Sequence, residues 1–281
     1  MNSKITVDVQ NQYSKDDSAV RAHFGTNQED AENYYRRYVN FIRQNVDQKN
    51  AMLLEIGCGS GWSTLMLKKV GFAVHGLDLH PGPLESNHID PEIKYSQGDS
   101  QKIPFESNSF DVISMHDVLE HVPEPQLALS ECLRVLRPGG RLIVVGPNLL
   151  SFLSNLYFTL IVTFQKISTG KIFERRTPMM PRHPGGNTVI EAWYCTAHHL
   201  FFTLKKLFFE KEPIYLMRVP DNNPPFFADN DACYFLNPID LKNWSKKNEH
   251  TVLIKWFSSH RAISKLLWPF LGGTWIVIQK R

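Results

Sequence analysis

The chain is short of the residues that build small secreted or metal-held domains. Its 281 residues hold only four cysteines, Cys58, Cys132, Cys195 and Cys233. They are widely separated and nowhere in C-x-x-C spacing, so neither a disulfide framework nor a zinc site follows, and a reducing cytoplasm is the expected location. No H-E-x-x-H or comparable spacing occurs, and no catalytic metal is expected. Charge of one sign is scarcely in excess: 31 Lys and Arg stand against 28 Asp and Glu, a net of +3. That is too little to argue for a nucleic-acid surface. There is no internal repeat, and Met1-Asn2-Ser3-Lys4 leads into polar residues rather than the apolar core of a signal peptide. The long charge-free run from Leu142 to Gln165 approaches the roughly twenty residues that span a bilayer. Pro147-Asn148 divides it, however, and Ser151, Ser154, Asn155, Thr159 and Thr163 dot the remainder, so a span is not expected. What is left, 42% hydrophobic and 21% charged, can bury one sizeable core or one core plus a subdomain.

What the chain does have is concentrated at residues 53–61, Leu53-Leu54-Glu55-Ile56-Gly57-Cys58-Gly59-Ser60-Gly61. A short apolar run carrying Glu55 breaks into three alternating glycines, and Trp62 to Lys68 resumes with helical spacing. Strand, glycine-rich turn, helix is a backbone that lets a small cofactor lie against it, because a Cβ would collide with the ligand or forbid the turn. An ordinary strand-to-helix turn needs one glycine and rarely three. The dinucleotide fingerprint is G-x-G-x-x-G; here the pattern is G-x-G-x-G, with Trp62 where its third glycine would stand. About twenty residues beyond Gly57, Val74 to Leu79 reads as a second strand that carries Asp78, a carboxylate able to accept from both hydroxyls of a ribose. Nucleoside recognition is thus present and the pyrophosphate feature is degraded. Adenosine without pyrophosphate is what S-adenosylmethionine presents.

From here the sequence resembles the class I S-adenosylmethionine-dependent methyltransferases, of the small-molecule type similar to the methyltransferase domain of ubiquinone biosynthesis. Gln97-Gly98-Asp99-Ser100 follows a strand-like Ile93-Lys94-Tyr95. Ile103 to Ser114 resembles the family's loop and fourth strand, Val118-Leu119-Glu120-His121-Val122-Pro123 the start of the following helix, and Arg134 to Val144 the turn into strand five. The likeness covers about residues 50–148 in the right order. It implies an α/β fold: a Rossmann-like, seven-stranded, mostly parallel sheet with helices on both faces. It implies S-adenosylmethionine as cofactor and S-adenosylhomocysteine as product. Gly57, Gly59 and Gly61 would run beside the methionine and ribose, and Glu55 would orient the loop or the cofactor's amino group. Asp78, with Leu79 beside it, would hold the ribose diol. Asp99, with Ser100 beside it, would accept from the adenine amino group, with a solvated turn residue as the less favoured alternative. Met115 or His116, placed just past strand four, would lie near the reacting centre. Cys58 reads as a small filler rather than a nucleophile.

Alternating elements imply a parallel sheet with right-handed crossovers, with the cofactor at the carboxyl ends of the strands. The expected strands are 51–56, 72–78, 93–97, 110–115 and 140–146, with helices over 61–70 and 124–136. Residues 1–48 read as a flap followed by a helix from Glu29 to Asn45, whose Tyr34, Tyr35, Tyr38, Phe41 and Ile42 fall at helical spacing. The cofactor-binding core is 49–148. Residues 237–281 complete the sheet, with Asn237 as N-cap and Pro238 at the first helical position, then strands from Thr251 and Thr274, the last antiparallel as in the resembling family.

Between them, 149–236 is far longer than a normal connection and reads as an inserted, aromatic-rich cap that recognises the acceptor. Its proline- and glycine-marked loops fall at Pro178 to Gly186 and at Asp221 to Pro225. Leu149 to Phe164 is expected as a cap helix, with contact to a membrane or a lipid-like acceptor as the minority reading. Lys166, Lys171, Arg175 and Arg176 follow it, a solvated face or a match to acidic headgroups or a phosphorylated substrate. His198-His199 reads as the start of an amphipathic helix.

The reading for function is transfer of a methyl group to oxygen or nitrogen of a small-molecule acceptor (natural product, sugar or glycan precursor) by in-line displacement. Alignment dominates such a step, worth roughly 7–11 kcal/mol. A hydroxyl acceptor would also use a base near neutral pKa. His116 and His121 are the candidates, with Asp117 and Glu120 placed to orient an imidazole, though Leu-Glu-His-Val recurs in the resembling family across many substrates and His121 reads equally as scaffold. His183, His198 and His199 carry less support. The alternatives are a prenylated or lipid-like acceptor at a membrane surface, and a non-catalytic binder of S-adenosylmethionine or an NAD(P)-binding enzyme of the same fold.

Overall fold

A computed structural model describes residues 28–79, 90, 92–170, 188–218, 220, 232–255, 267, 269–270 and 272–281. The expected flap up to Asn27, the two proline loops of the insertion, His183, and the cations Lys171, Arg175 and Arg176 lie outside those residues. The first described element is α1 (Gln28–Asn45), followed by β1 (Met52–Ile56), α2 (Trp62–Lys69), β2 (Ala73–Asp78), β3 (Lys94–Gln97) and β4 (Phe110–His116). A single 3-10 turn at Leu119–His121 leads into α3 (Pro125–Val135) and β5 (Leu136–Gly146). Helices α4 (Phe152–Thr169) and α5 (Thr188–Phe208) precede α6 (Pro238–Lys247), β6 (Thr251–Lys255) and β7 (Thr274–Lys280).

The strands form one seven-stranded sheet in the order β3-β2-β1-β4-β5-β7-β6. β1 to β5 pair in parallel, and β7 is antiparallel to both β5 and β6. The order reverses between β1 and β4, which leaves a crevice at the carboxyl ends of those two strands, where open α/β sheets take their ligands. β5 begins earlier than its sequence indicates, because Leu136 pairs with Phe110 before the register shifts and Arg141 pairs with Val112.

Strand alternation divides the core into two faces. Leu53, Val112, Ile143, Val145 and Val277 point to one side and pack with Tyr35, Tyr38, Phe41 and Ile42 of α1 and Leu67 of α2. Leu54, Ile56, Ile113, Met115, Leu142, Val144 and Ile276 point to the other, under Leu129 and Leu133 of α3 and Leu241 and Trp244 of α6. The helical aromatic stripe of residues 34–42 is therefore mainly a docking face. α6 starts as its sequence dictates: Asn237 accepts from the Asp240 amide at 3.0 Å, with Pro238 at the first position.

The long connection after β5 holds two helices packed antiparallel. Thr159 Oγ1 meets Thr196 Oγ1 at 2.8 Å and donates to the Ala192 carbonyl at 3.1 Å. Asn155 pairs with the ring of His199, and Thr203 donates to the Leu150 carbonyl at 2.7 Å. α5 begins at Thr188, ten residues before the expected start at His198, so His198 and His199 lie mid-helix. Thr188 to Ala197 supply the missing turns, and the buried Ala192, Cys195 and Thr196 face α4 at helical spacing. α4 starts at Phe152 rather than Leu149, whose backbone instead donates to the Leu236 carbonyl at 2.8 Å. α4 then continues to Thr169, where Gly170 in the left-handed region stops it.

Candidate active site

β1 delivers the chain into a bend in which Gly57, Gly59 and Gly61 all have positive φ, at 72°, 50° and 83°. Gly57 donates to the Leu77 carbonyl at 2.7 Å, which ties the start of the bend to β2. A Cβ at Gly57 would run into Cγ2 of Val118, so glycine is required there by space as well as by φ. At Gly59 nothing lies within 4 Å of where a Cβ would stand, and its amide donates to Asp78 Oδ2 at 2.8 Å. The loop is thus closed below, anchored at its side by the carboxylate that ends β2, and open above Gly59. Gly61 caps α2, its carbonyl accepting from Leu65 at 3.0 Å. Beneath the bend, Cys58 is buried and its thiol pKa is driven up by that burial.

Glu55 is buried inside β1 and accepts from Thr64 Oγ1 of α2 at 2.6 Å. Burial pushes its carboxyl up to about 7, offset in part by the hydrogen bond from Thr64 and by the neighbouring Ser63 and Tyr38 hydroxyls. It braces β1 against α2 and α1 below the glycine bend. Leu79, just past β2, is exposed, and its carbonyl accepts from Gln97 Nε2 at 3.0 Å. Asp99 follows β3 in a turn of its own: its Oδ1 accepts from the Gln101 amide at 2.8 Å, and both carboxylate oxygens meet Gln101 Nε2 at 3.2 and 3.1 Å. Gln101 in turn accepts from the Glu124 amide at 3.0 Å, and Ser100 is buried beside it. The Asp99 carboxylate is therefore already a turn-former.

β4 runs one residue further than expected, to His116, so both Met115 and His116 lie within the strand. Their side chains leave opposite faces of the sheet. Met115 is fully buried in the core shared with Ile56 and Leu119, whereas His116 faces α1, as Glu55 does. There His116 stacks on Tyr38 with centroids 4.6 Å apart, and Tyr34 and Tyr35 meet it edge-on at 5.6 Å each. Burial lowers its pKa, and Asp117, whose Oδ2 lies 3.6 Å from Nε2, raises it in part. Asp117 sits in the left-handed region at φ 52° and accepts from Tyr34 Oη at 2.8 Å. This aromatic box was not legible as such: the helical spacing of Tyr34, Tyr35 and Tyr38 was, but not the imidazole they enclose.

His121 ends the 3-10 turn after β4, with Nε2 4.0 Å from Glu120 Oε1. The Glu120 backbone carbonyl accepts from the Cys233 and Tyr234 amides at 2.9 Å each, which fixes the turn against the end of the insertion. His199 is buried between α4 and α5, and burial takes its pKa down to about 4, helped by His198 and Arg218. It is a structural imidazole. Among the described residues no group of His, Cys, Asp or Glu is arranged to hold a metal ion, and none of their helices is long and apolar enough to cross a membrane.

Comparison with known proteins agrees with this geometry. Residues 54–144 match the family model described as a methyltransferase domain. A ubiquinone biosynthesis O-methyltransferase of Coxiella burnetii is 32% identical over 107 residues, covering 36% of this chain and 46% of that protein. A demethylmenaquinone methyltransferase of Renibacterium salmoninarum is 38% identical over 93 residues, 33% of this chain and 39% of that one. The chain thus spans about half the length, or less, of these curated relatives. Among solved structures, phosphoethanolamine N-methyltransferase 2 of Haemonchus contortus in complex with S-adenosyl-L-methionine is 27% identical. It covers 40% of this chain and 28% of that one, with a TM-score of 0.37. Residues 54–144 of the chain are thus similar to a methyltransferase domain.

Proposed function

We propose that the chain transfers the methyl group of S-adenosylmethionine to an oxygen or nitrogen of a small-molecule acceptor such as a natural product, sugar or glycan precursor. The observation that carries this reading is the glycine bend, closed by Val118 below, open above Gly59 and anchored by Asp78. When bound, the cofactor supplies a methyl already activated on a sulfonium. The chain's own residues would then position rather than activate. Gly57, Gly59 and Gly61 keep the bend free of side chains. Asp78 stiffens the bend through Gly59 and offers its carboxylate to the ribose hydroxyls, while Asp99 and Ser100 border the adenine side. Glu55 holds the base of the loop. His116, whose charged form burial disfavours, is the first candidate to take a proton from a hydroxyl acceptor; His121, fixed in its turn beside Glu120, is the weaker candidate base. Residues 149–236 would recognise the acceptor.

A prenylated or lipid-like acceptor is the second reading. Two observations favour it: the named quinone-pathway relatives, and the aromatic residues that α4 and α5 expose.

Calorimetric titration tests the first reading. S-adenosylhomocysteine should bind and NADH should not. Asp78→Ala should weaken that binding by about ten- to a hundredfold, the loss of one charge-assisted bond of roughly 1.5–3 kcal/mol. Equal binding of the two nucleotides, or an unchanged affinity in the variant, would sink it.

A further inference from the structure

Helix α1 carries two stripes of different character. Tyr35, Tyr38 and Ile42 are buried against the sheet, whereas Asn33, Arg36, Arg37, Asn40 and Gln44 are exposed. Spacings of three and four residues align Asn33, Arg37, Asn40 and Gln44 on one flank, with Arg36 beside them. That flank and Trp275 of β7 border a cleft of about 380 Å³, with Phe41 between them. The volume falls within the range of small-molecule sites, roughly 300–1,000 Å³. In the sheet order β7 lies beyond β5, two strands from β4. The cleft therefore stands apart from the crevice between β1 and β4.

Its lining is chemically selective. Phe41 and Trp275 form an apolar floor: both are buried, and their rings meet edge-on with centroids 5.1 Å apart. The Arg37 guanidinium lies over the Trp275 ring, 4.5 Å from its centroid, which places a positive charge above that floor. Arg36 Nη2 donates to Asn33 Oδ1 at 2.9 Å, so the group that orients this second guanidinium is a neutral amide. A guanidinium fork presents planar donors that match the paired oxygens of a carboxylate or phosphate. Asn40 and Gln44 add side-chain amides, whose N–H groups also suit an oxygen anion. The described lining thus holds two cations, three amides and two aromatic rings, and no acid. A cationic ligand would be repelled here, and a neutral one would leave the guanidiniums unused. A bare anion would leave the aromatic floor untouched. An anion that carries a flat apolar ring meets all of the lining.

We infer that the cleft between α1 and β7 is a second ligand site, for a small aromatic carboxylate or phosphate. It requires nothing of the methyl-transfer reading, because its lining shares no residue with the glycine bend, with Asp78 or Asp99, or with the rings around His116.

Calorimetric titration of the full chain with phenyl phosphate, benzoate, inorganic phosphate and benzyl alcohol tests it. One or both aromatic anions should bind, and the tighter of the two assigns the anion. Benzyl alcohol has the ring without the charge, and inorganic phosphate the charge without the ring. Each should bind about tenfold more weakly, or worse. Arg36→Gln should weaken binding of the aromatic anion by about tenfold, the loss of one charge-assisted contact. Arg43→Gln, which changes an exposed arginine of the same helix outside the cleft, should leave it unaltered. Both positions are exposed, so neither change should disturb the fold, and S-adenosylhomocysteine should bind both variants as it binds the wild type. The inference fails if neither aromatic anion binds, or if benzyl alcohol or inorganic phosphate binds as tightly. It fails equally if the two variants behave alike. Absence of S-adenosylhomocysteine binding beside intact, Arg36-dependent anion binding would count against methyl transfer alone.

Discussion

At the scale of single residues, the site is governed by what burial does to proton affinity. Burial lifts the Glu55 carboxyl from the usual 4.5 to about 7 in the folded chain. A group that holds its proton more tightly when folded contributes stability below its unfolded pKa, and that contribution is lost as pH climbs from about 4.5 through about 7. Glu55→Gln keeps an oxygen to accept from Thr64 and cannot ionise. The unfolding free energy of the variant relative to wild type should therefore rise across that interval and level off above it, as read by urea denaturation at a series of pH values. A flat difference would show that Glu55 titrates normally. His116 shifts the other way, and for both groups, which share one face of the sheet, burial favours the uncharged form. The glycine pattern announces the bend, but no pattern announces that Tyr38 lies between Glu55 and His116. That depends on α1 folding back over β4 from some eighty residues earlier in sequence.

Elements show the same division between local and distant causes. α6 is specified locally by Asn237 and Pro238, yet it is held by a buried charge. Lys206 of α5 pairs with Asp240 and donates to the Ile214 carbonyl at 2.5 Å, while Asp240 also accepts from Tyr234 Oη and Asn237 Nδ2 at 2.8 Å each. Both members of the pair are almost wholly out of solvent. Breaking such a pair leaves an uncompensated charge, so Lys206→Ala should destabilise the chain by about 3–5 kcal/mol, measured by chemical denaturation. Lys206→Met with Asp240→Asn, which removes both charges, should recover a large part of that loss. Failure of the double change to recover anything would mean the network acts through packing. The pair clamps α5 of the hairpin to α6, so Lys206 is a strut.

For the molecule as a whole, cofactor binding is linked to folding by mass action. A ligand held only by the native sheet edge stabilises it by about 2.7 kcal/mol at a hundredfold excess over Kd. For a chain of this size that is a rise of several degrees in Tm. S-adenosylhomocysteine should produce that rise in a thermal-shift assay and NADH should not. Gly57→Ala, which puts a methyl group against Val118 at a positive φ, should lower the Tm and abolish the shift. A shift that survives in that variant would place the ligand elsewhere.

Much of this architecture is set by local chemistry along the chain. Alternating apolar strands, glycines at 57, 59 and 61, a carboxylate ending β2 and the Asn-Pro cap of α6 each act within a few residues, and the sheet follows from them within a residue or two at most boundaries. Tertiary structure alone decided what depends on distant partners. It placed His116 in a tyrosine box and Met115 on the opposite face, buried His199 against Asn155, and began α5 ten residues before its expected start. It also left Tyr157, Phe164, Tyr194, Phe201 and Phe208 of the hairpin exposed. The reason is that alternation and propensity fix which side a residue faces relative to its neighbours. Only packing between elements far apart in sequence fixes what stands on that side, and whether it is protein or solvent.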